Sequence, residues 1–122
     1  MKTMKFLSVL VCLFLSATAF SNNNSGVRLL TNIENTPTGK TKIVTSFDED
    51  TSTPFQKNNY EYDLNGNVLE KSTYKWFTNE GWQGVQKTEY TYDSDNKLTS
   101  MKVTKWDDRR NDWSKKSQTV NY

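Results

Sequence analysis

The fold is decided by the stretch Tyr60-Glu61-Tyr62-Asp63-Leu64-Asn65-Gly66-Asn67, which returns in a looser form as Tyr90-Thr91-Tyr92-Asp93. Tyrosine favours strands. Asp followed by Asn-Gly is turn chemistry, because Asp caps backbone N–H groups and Gly accepts a positive φ. Where the first copy has Gly66, the second has Asn96, the residue that tolerates the left-handed conformation next best. Each copy therefore predicts a strand, a turn and a second strand.

The similarity extends well beyond the turn. Further positions correspond at the same offset of 30 residues, or one residue beyond it: Lys57 and Lys87, Val68 and Leu98, Trp76 and Trp106, and Trp82 and Trp113. A weaker earlier copy runs from Gly39-Lys40 through Phe47 and Phe55 to Tyr60. Self-similarity at a fixed period is the signature of a repeat architecture. The unit reads as a β-hairpin that ends in a tryptophan, a polar turn and a second tryptophan.

These signals predict an all-β protein, an antiparallel meander of about six strands built from hairpin repeats of about 30 residues. The predicted strands cover residues 40–47, 55–62, 68–76, 82–92, 97–106 and 113–122, and residues 27–33 are a candidate for one more. Strict alternation along the strands places Val68, Tyr74 and Trp76 on one face, in phase with Leu98 and Trp106. Trp82, Tyr90 and Tyr92 also share one parity. We therefore expect one aromatic face and one mostly polar face. A sheet must cover its apolar face, so an open curled sheet, a barrel-like closure, a sandwich or a covering partner would each satisfy the pattern.

The beginning of the chain has the pattern of a secretory signal peptide. Lys2 and Lys5 precede the apolar run Phe6–Leu15, and Ala17-Thr18-Ala19 has the form of a cleavage site. The apolar run is too short to span a membrane as a helix. We expect a signal peptide over residues 1–19, a disordered lead over 20–26 and a single β-repeat domain over 27–122. The predicted location is the periplasm, the cell surface or the exterior of the cell.

The composition excludes several classes of function. Removal of Lys2 and Lys5 with the leader leaves equal numbers of basic and acidic residues, whereas nucleic-acid binders usually carry a basic surplus. Histidine is absent, so neither a Ser-His-Asp triad nor a histidine zinc site can form. The lone Cys12 lies in the leader. No phosphate-binding loop motif is present, and we predict no cofactor and no metal.

The segment from Tyr60 to Asn67 resembles the YD-type repeat of rearrangement-hotspot proteins and related bacterial surface proteins, and Tyr90–Asp93 with Lys97-Leu98 is a second, looser match. The chain is also similar to small secreted bacterial proteins whose domain has no assigned function. The resemblance covers residues 40–122 and implies antiparallel hairpins in series, with no catalytic residues. The unit is longer than in YD arrays, it adds a tryptophan pair, and the copies are very few. So short an array cannot enclose a toxin.

Three kinds of site are open to these residues. The first is an aromatic surface that stacks on sugar rings or on a protein, formed by Trp76, Trp82, Trp106, Trp113, Tyr62 and Tyr92. The alternative for these residues is the core of a chain poor in aliphatic side chains. The second is calcium binding by Asp63–Asn67, whose oxygens alternate as in calcium loops, although the same residues equally make a capped turn. The third is a carboxylate pair for glycoside hydrolysis, drawn from Asp48, Glu49, Asp50, Asp107 and Asp108.

An aromatic repeat in a chain that lacks the usual catalytic side chains favours a secreted, non-catalytic module that acts by surface contact with a protein or a glycan. The alternative is a structural cell-envelope protein that associates with itself, because the edge strands of a meander are prone to pairing. A carboxylate-dependent glycoside hydrolase is the distant third reading. Neither nucleic-acid binding nor a membrane-spanning role is expected.

Overall fold

The computed structural model describes residues 26–122, which form seven antiparallel strands in one sheet, in the order of the chain. The strands are β1 Val27–Thr36, β2 Gly39–Asp48, β3 Pro54–Asp63, β4 Val68–Phe77, β5 Gly81–Tyr92, β6 Leu98–Asp107 and β7 Asp112–Asn121. The predicted meander is confirmed, and the candidate strand at residues 27–33 becomes β1. Each strand pairs only with its neighbours in the chain, so the sheet is open and the barrel-like closure does not occur. The predicted signal peptide over 1–19 and most of the predicted lead over 20–26 lie outside the described residues.

The turns that join the strands repeat the same chemistry. Gly66 and Asn96 lie at equivalent places with φ of 83° and 60°, as predicted, and Gly81 and Asn111 form a second equivalent pair with φ of 77° and 49°. In two of these turns the first residue is an aspartate, Asp63 or Asp93, whose carboxylate accepts backbone N–H groups from the turn. The strands therefore reverse at regular intervals, and turns of one kind gather at each end of the sheet.

β-Bulges correct the predicted arrangement of the faces. Extra residues interrupt the register at Phe55, Leu69, Val85 and Thr99, and a bulge also separates Trp106 and Trp113 from the rest of the pairing between β6 and β7. One extra residue reverses the alternation of side chains beyond it. The prediction of a single aromatic face is therefore wrong, and the aromatic residues divide between the two faces.

The two faces are named here by their residues. Directly paired residues of antiparallel strands lie on the same face, and the pairing places Trp76, Trp82, Trp106 and Trp113 on the tryptophan face. The opposite side, the tyrosine face, carries Tyr60, Tyr62, Tyr90 and Tyr92. The tryptophans lie near the β4–β5 and β6–β7 turns, whereas the tyrosines lie near the β3–β4 and β5–β6 turns at the other end of the sheet.

The sheet is a single layer without a conventional core. No hydrophobic side chain among residues 26–122 is buried, and the buried polar residues are Ser72, Thr88 and Thr104. Most aromatic and aliphatic side chains are instead half-buried by neighbours on their own face, and others, such as Leu64 and Phe77, are exposed. The described part of the chain holds no helix with the length and apolar character needed to cross a bilayer. Both faces of the sheet are consequently open to whatever surrounds the protein.

Candidate functional site

The four tryptophans form two similar pairs on the tryptophan face. Trp76 and Trp82 lie directly opposite each other on β4 and β5, with ring centroids 5.3 Å apart and planes at 70°. Trp106 and Trp113 repeat this arrangement on β6 and β7, at 5.1 Å and 88°. Edge-to-face contact is a preferred geometry for aromatic rings. All four indoles are half-buried. The two indoles of each pair therefore pack against each other and remain partly accessible to solvent.

Gly84 leaves room for the second tryptophan pair, Trp106 and Trp113, to pack against the sheet. Gly84 lies opposite Tyr74 on the tryptophan face, and a Cβ at that position would lie 2.2 Å from a ring carbon of Trp106. Trp106 therefore occupies the space that a side chain would need. Trp113 lies against Trp106 and also reaches Tyr74, with a centroid distance of 5.9 Å and planes at 72°. We call the four tryptophans together with Tyr74 the tryptophan cluster. Through the contact of Tyr74 with Trp113 it joins β4 to β7 across the two strands between them.

Each tryptophan pair has a lysine over one of its rings. The ammonium of Lys57 lies 4.7 Å from the ring centroid of Trp82 and 5.1 Å from that of Tyr74. Lys87 lies 5.1 Å from the ring centroid of Trp113. The β1–β2 hairpin has a similar contact, in which the guanidinium carbon of Arg28 lies 5.7 Å from the ring centroid of Phe47. A cation over an aromatic face is a favourable contact, and burial lowers the pKa of Lys57.

Tyr62 and Tyr92, the other two predicted surface residues, do not join the tryptophans. Both lie on the tyrosine face, at the opposite end of the sheet. The hydroxyl of Tyr92 donates to the backbone oxygen of Val68 at 2.7 Å, and the ammonium of Lys40 lies 4.9 Å from the ring centroid of Tyr62. The six predicted residues therefore belong to two surfaces, with the four tryptophans on one face and the two tyrosines on the other.

The loop considered for calcium is held together by its own carboxylate. Asp63 Oδ1 accepts the backbone N–H groups of Asn65 and Asn67 at 2.9 Å, and Oδ2 accepts the Asn67 amide at 3.1 Å. Desolvation acts to raise the pKa of Asp63, but these hydrogen bonds hold the pKa below its usual value. The oxygens that a cation would need already accept hydrogen bonds, and the segment has the geometry of a capped turn.

The carboxylates considered for glycoside hydrolysis form two groups, residues 48–50 and residues 107–108, which lie apart in the sheet. Asp48 ends β2 and Asp107 ends β6, four strands apart and hence about 19 Å apart at the usual strand spacing. The two carboxyl groups of a glycosidase lie within roughly 10 Å of each other. Asp48 accepts the backbone N–H groups of Asp50 and Thr51, and the N–H of Thr51 lowers the pKa of Asp48. Within residues 26–122 no three acidic side chains converge as metal ligands would.

Two kinds of residue beside the tryptophan cluster were not predicted from the sequence as site residues. Lys57 and Lys87 share the 30-residue offset, which marked them as repeated but did not indicate their position over the indoles. Gly84 carried a usable signal, because a glycine inside a strand marks a bulge or a close approach. The structure has both, with the extra residue at Val85 and Trp106 over Gly84.

Comparison with known proteins gives a family and a fold. The family model described as "Family of unknown function (DUF3836)" matches residues 1–122. A crystal structure of a DUF3836 family protein from Parabacteroides distasonis ATCC 8503 is similar, with 20% identity, a TM-score of 0.51 and coverage of 80% of this chain and 91% of that one. A second, from Bacteroides vulgatus ATCC 8482, has 23% identity, a TM-score of 0.47 and coverage of 76% and 98%. No curated protein matches the chain.

Proposed function

Since the chain belongs to DUF3836, a family of unknown function, we propose from its surface that it is an exported, non-catalytic β-sheet module that acts by contact with a protein or a glycan. The observation that carries the proposal is the tryptophan cluster on an open sheet. Four indoles gather on one face, and all remain half-exposed. Tryptophan offers a large apolar area with a polar N–H, and it is enriched where binding energy is concentrated.

The polar edge of one indole supports the same proposal. The Nε1 of Trp106 is buried and has no hydrogen-bond partner among residues 26–122. A buried donor without a partner is costly, and an acceptor brought by a bound molecule would remove that cost. A glycan hydroxyl or a protein carbonyl has the required chemistry.

The non-catalytic part of the proposal rests on the residue types available. The chain contains no histidine, and the carboxylates Asp48, Asp63 and Asp107 accept backbone N–H groups in their own turns. A general acid or base needs a positioned group whose pKa is suited to proton transfer. Export is proposed from the signal-like residues 1–19, and it would present the sheet to partners in the periplasm or outside the cell.

The first test is intrinsic fluorescence with iodide quenching on the purified protein. We expect quenching between that of a buried and that of a free indole, together with a change on addition of glycans or candidate proteins. Trp82→Ala should reduce that binding, whereas Phe77→Ala, which removes an exposed aromatic residue from the opposite face of the same hairpin, should leave it unchanged. Blue-shifted emission without quenching, and no response in a binding screen, would overturn the proposal.

A further inference from the structure

The two faces of the sheet carry different charges. The tyrosine face carries five lysines on β2, β4 and β6, namely Lys40, Lys42, Lys71, Lys75 and Lys105. The carboxylates of the described strands on this face are confined to terminal residues. These five lysines are called the lysine row. Two of them, Lys42 and Lys71, lie on either side of Tyr60, and their ammonium groups are 5.9 and 5.6 Å from the centroid of its ring. The tyrosine face is therefore a basic surface on a chain whose charges are nearly balanced.

The tryptophan face carries a row of glutamates across the sheet. Glu61, Glu70 and Glu89 lie directly opposite one another on β3, β4 and β5. Like charges in this position are destabilising, and both flanking carboxylates, with desolvation as the larger cause, raise the pKa of Glu70. Of the three, only Glu89 has an ion-pair partner within residues 26–122, Lys102 at 3.7 Å. Within the same residues Glu61 and Glu70 form no ion pair, although Lys87 lies near enough to act against the rise in the pKa of Glu70.

The lysines of the tyrosine face cannot pair with the glutamates of the same molecule because the sheet lies between them. Residues 26–122 contain only two ion pairs, Lys102–Glu89 and Arg110–Asp112. Two cations of the tryptophan face, Lys57 and Lys87, lie over aromatic rings. A second copy placed face to face on the first would bring the lysines of its tyrosine face onto the glutamates.

The lysines and glutamates also match in position. Lys42 and Lys71 lie on β2 and β4, and the glutamate row covers β3, β4 and β5 at the same end of the sheet. Seven strands of about ten residues give each face an area of roughly 900 Å², and a stable interface needs about 800 Å² from each partner. One face is large enough to seat a second copy.

We propose that copies of this chain stack face to face, with the lysines of one tyrosine face on the glutamate row of the next tryptophan face. The proposal rests on the proposed surface-contact function, since it names a second copy as one partner. Such a contact uses two different surfaces, so it is heterologous and can continue from copy to copy.

The test uses two charge-reversal variants of the whole chain, expressed and purified as the wild type is. One carries Lys42→Glu and Lys71→Glu, and the other carries Glu61→Lys and Glu70→Lys. At low salt, light scattering should give the wild type a mass at least twice that of the monomer, and high salt should dissociate it because exposed charges are screened. Each variant alone should be monomeric, and an equal mixture of the two should associate again, because each variant supplies the face that the other needs.

The matched control is Lys97→Glu with Lys115→Glu, which makes the same charge change at exposed positions outside the lysine row and should associate like the wild type. Circular dichroism of every variant establishes that the sheet is folded. A monomeric wild type at low salt, or a mixture that stays monomeric, would overturn the stacking while leaving the tryptophan surface to be tested separately. Association that survives in both variants would point instead to pairing of the edge strands, and it would also overturn the charge-directed stack.

Discussion

At the residue scale, Gly66 and Asn96 occupy the same place in two turns. Gly66 has φ of 83° and no atom within 4 Å of where a Cβ would lie, so a substitution there meets backbone strain rather than a clash. Gly66→Val should lower the free energy of unfolding by about 1–3 kcal/mol, because a β-branched residue is strained at positive φ. Urea denaturation measures the loss, and an unchanged transition would show that the turn does not need its left-handed residue.

Asn96→Gly is the matched comparison for that change. Glycine relieves the left-handed strain of Asn96. It also removes the amide oxygen that accepts from Asn65 and Asn67 at 3.3 and 2.9 Å, which joins the two neighbouring turns. The two effects oppose each other, and we expect a change of less than about 1 kcal/mol.

Gly84 is the residue on which the second tryptophan pair depends. A methyl group at this position would lie 2.2–2.8 Å from three ring atoms of Trp106. Gly84→Ala should therefore displace the indole and lower the free energy of unfolding by about 1–3 kcal/mol, with a change in near-UV circular dichroism. In a Trp106→Leu background the same glycine change should cost much less. An equal cost in both backgrounds would show that the indole does not rest on Gly84.

At the scale of the strands, Glu70 lies between Glu61 and Glu89, and desolvation together with these charges raises its pKa. The folded state therefore disfavours the ionised carboxylate. Glu70 consequently lowers the free energy of unfolding at pH values above its folded-state pKa, and this destabilisation disappears as the pH falls below its unfolded-state pKa. Glu70→Gln should raise the melting temperature at pH 7 and have little effect near pH 3. Glu34→Gln, on the same face at the end of the row, is the control. A benefit that persists at pH 3 would exclude a charge effect.

The sequence predicted the strands well because the turn residues are local signals. Asp63 with Gly66, and Asp93 with Asn96, indicated where the chain reverses without any knowledge of tertiary contacts. The faces could not be predicted, because they depend on bulges at Leu69, Val85 and Thr99, each of which inverts the parity of the residues beyond it. A bulge is a property of two paired strands, so strict alternation along one strand misses it.

The tryptophan cluster could be predicted only in part for the same reason. The repeated positions indicated that the four indoles act together, and they do lie on one face. Tyr92 was included because it shares its parity with Trp82, and Tyr62 is its counterpart in the repeat, but both lie on the opposite face. The contact of Trp113 on β7 with Tyr74 on β4 crosses the two strands between them, and no pattern within a single hairpin predicts it.

At the scale of the whole molecule, each strand contacts mainly its immediate neighbours. In such a chain stability is close to a sum of neighbouring interfaces, and it is weakest at the ends. Amide hydrogen exchange should therefore show the greatest protection in β4 and β5 and the least in β1 and β7, where one edge has no partner strand. Uniform protection across all seven strands would show that the outer edges are covered in solution.

Because the bulges recur at a fixed interval, strands can be added to the sheet in whole repeat units. The bulges at Phe55 and Val85 lie 30 residues apart, as do those at Leu69 and Thr99. In each repeat unit the alternation of side chains between the two faces therefore reverses at the same two positions. A tandem duplication of one unit would add two strands and about 10 Å of width, and it would return the next tryptophan pair to the same side. Gene duplication could thus extend the sheet in whole units, with tryptophans always on one side and tyrosines on the other.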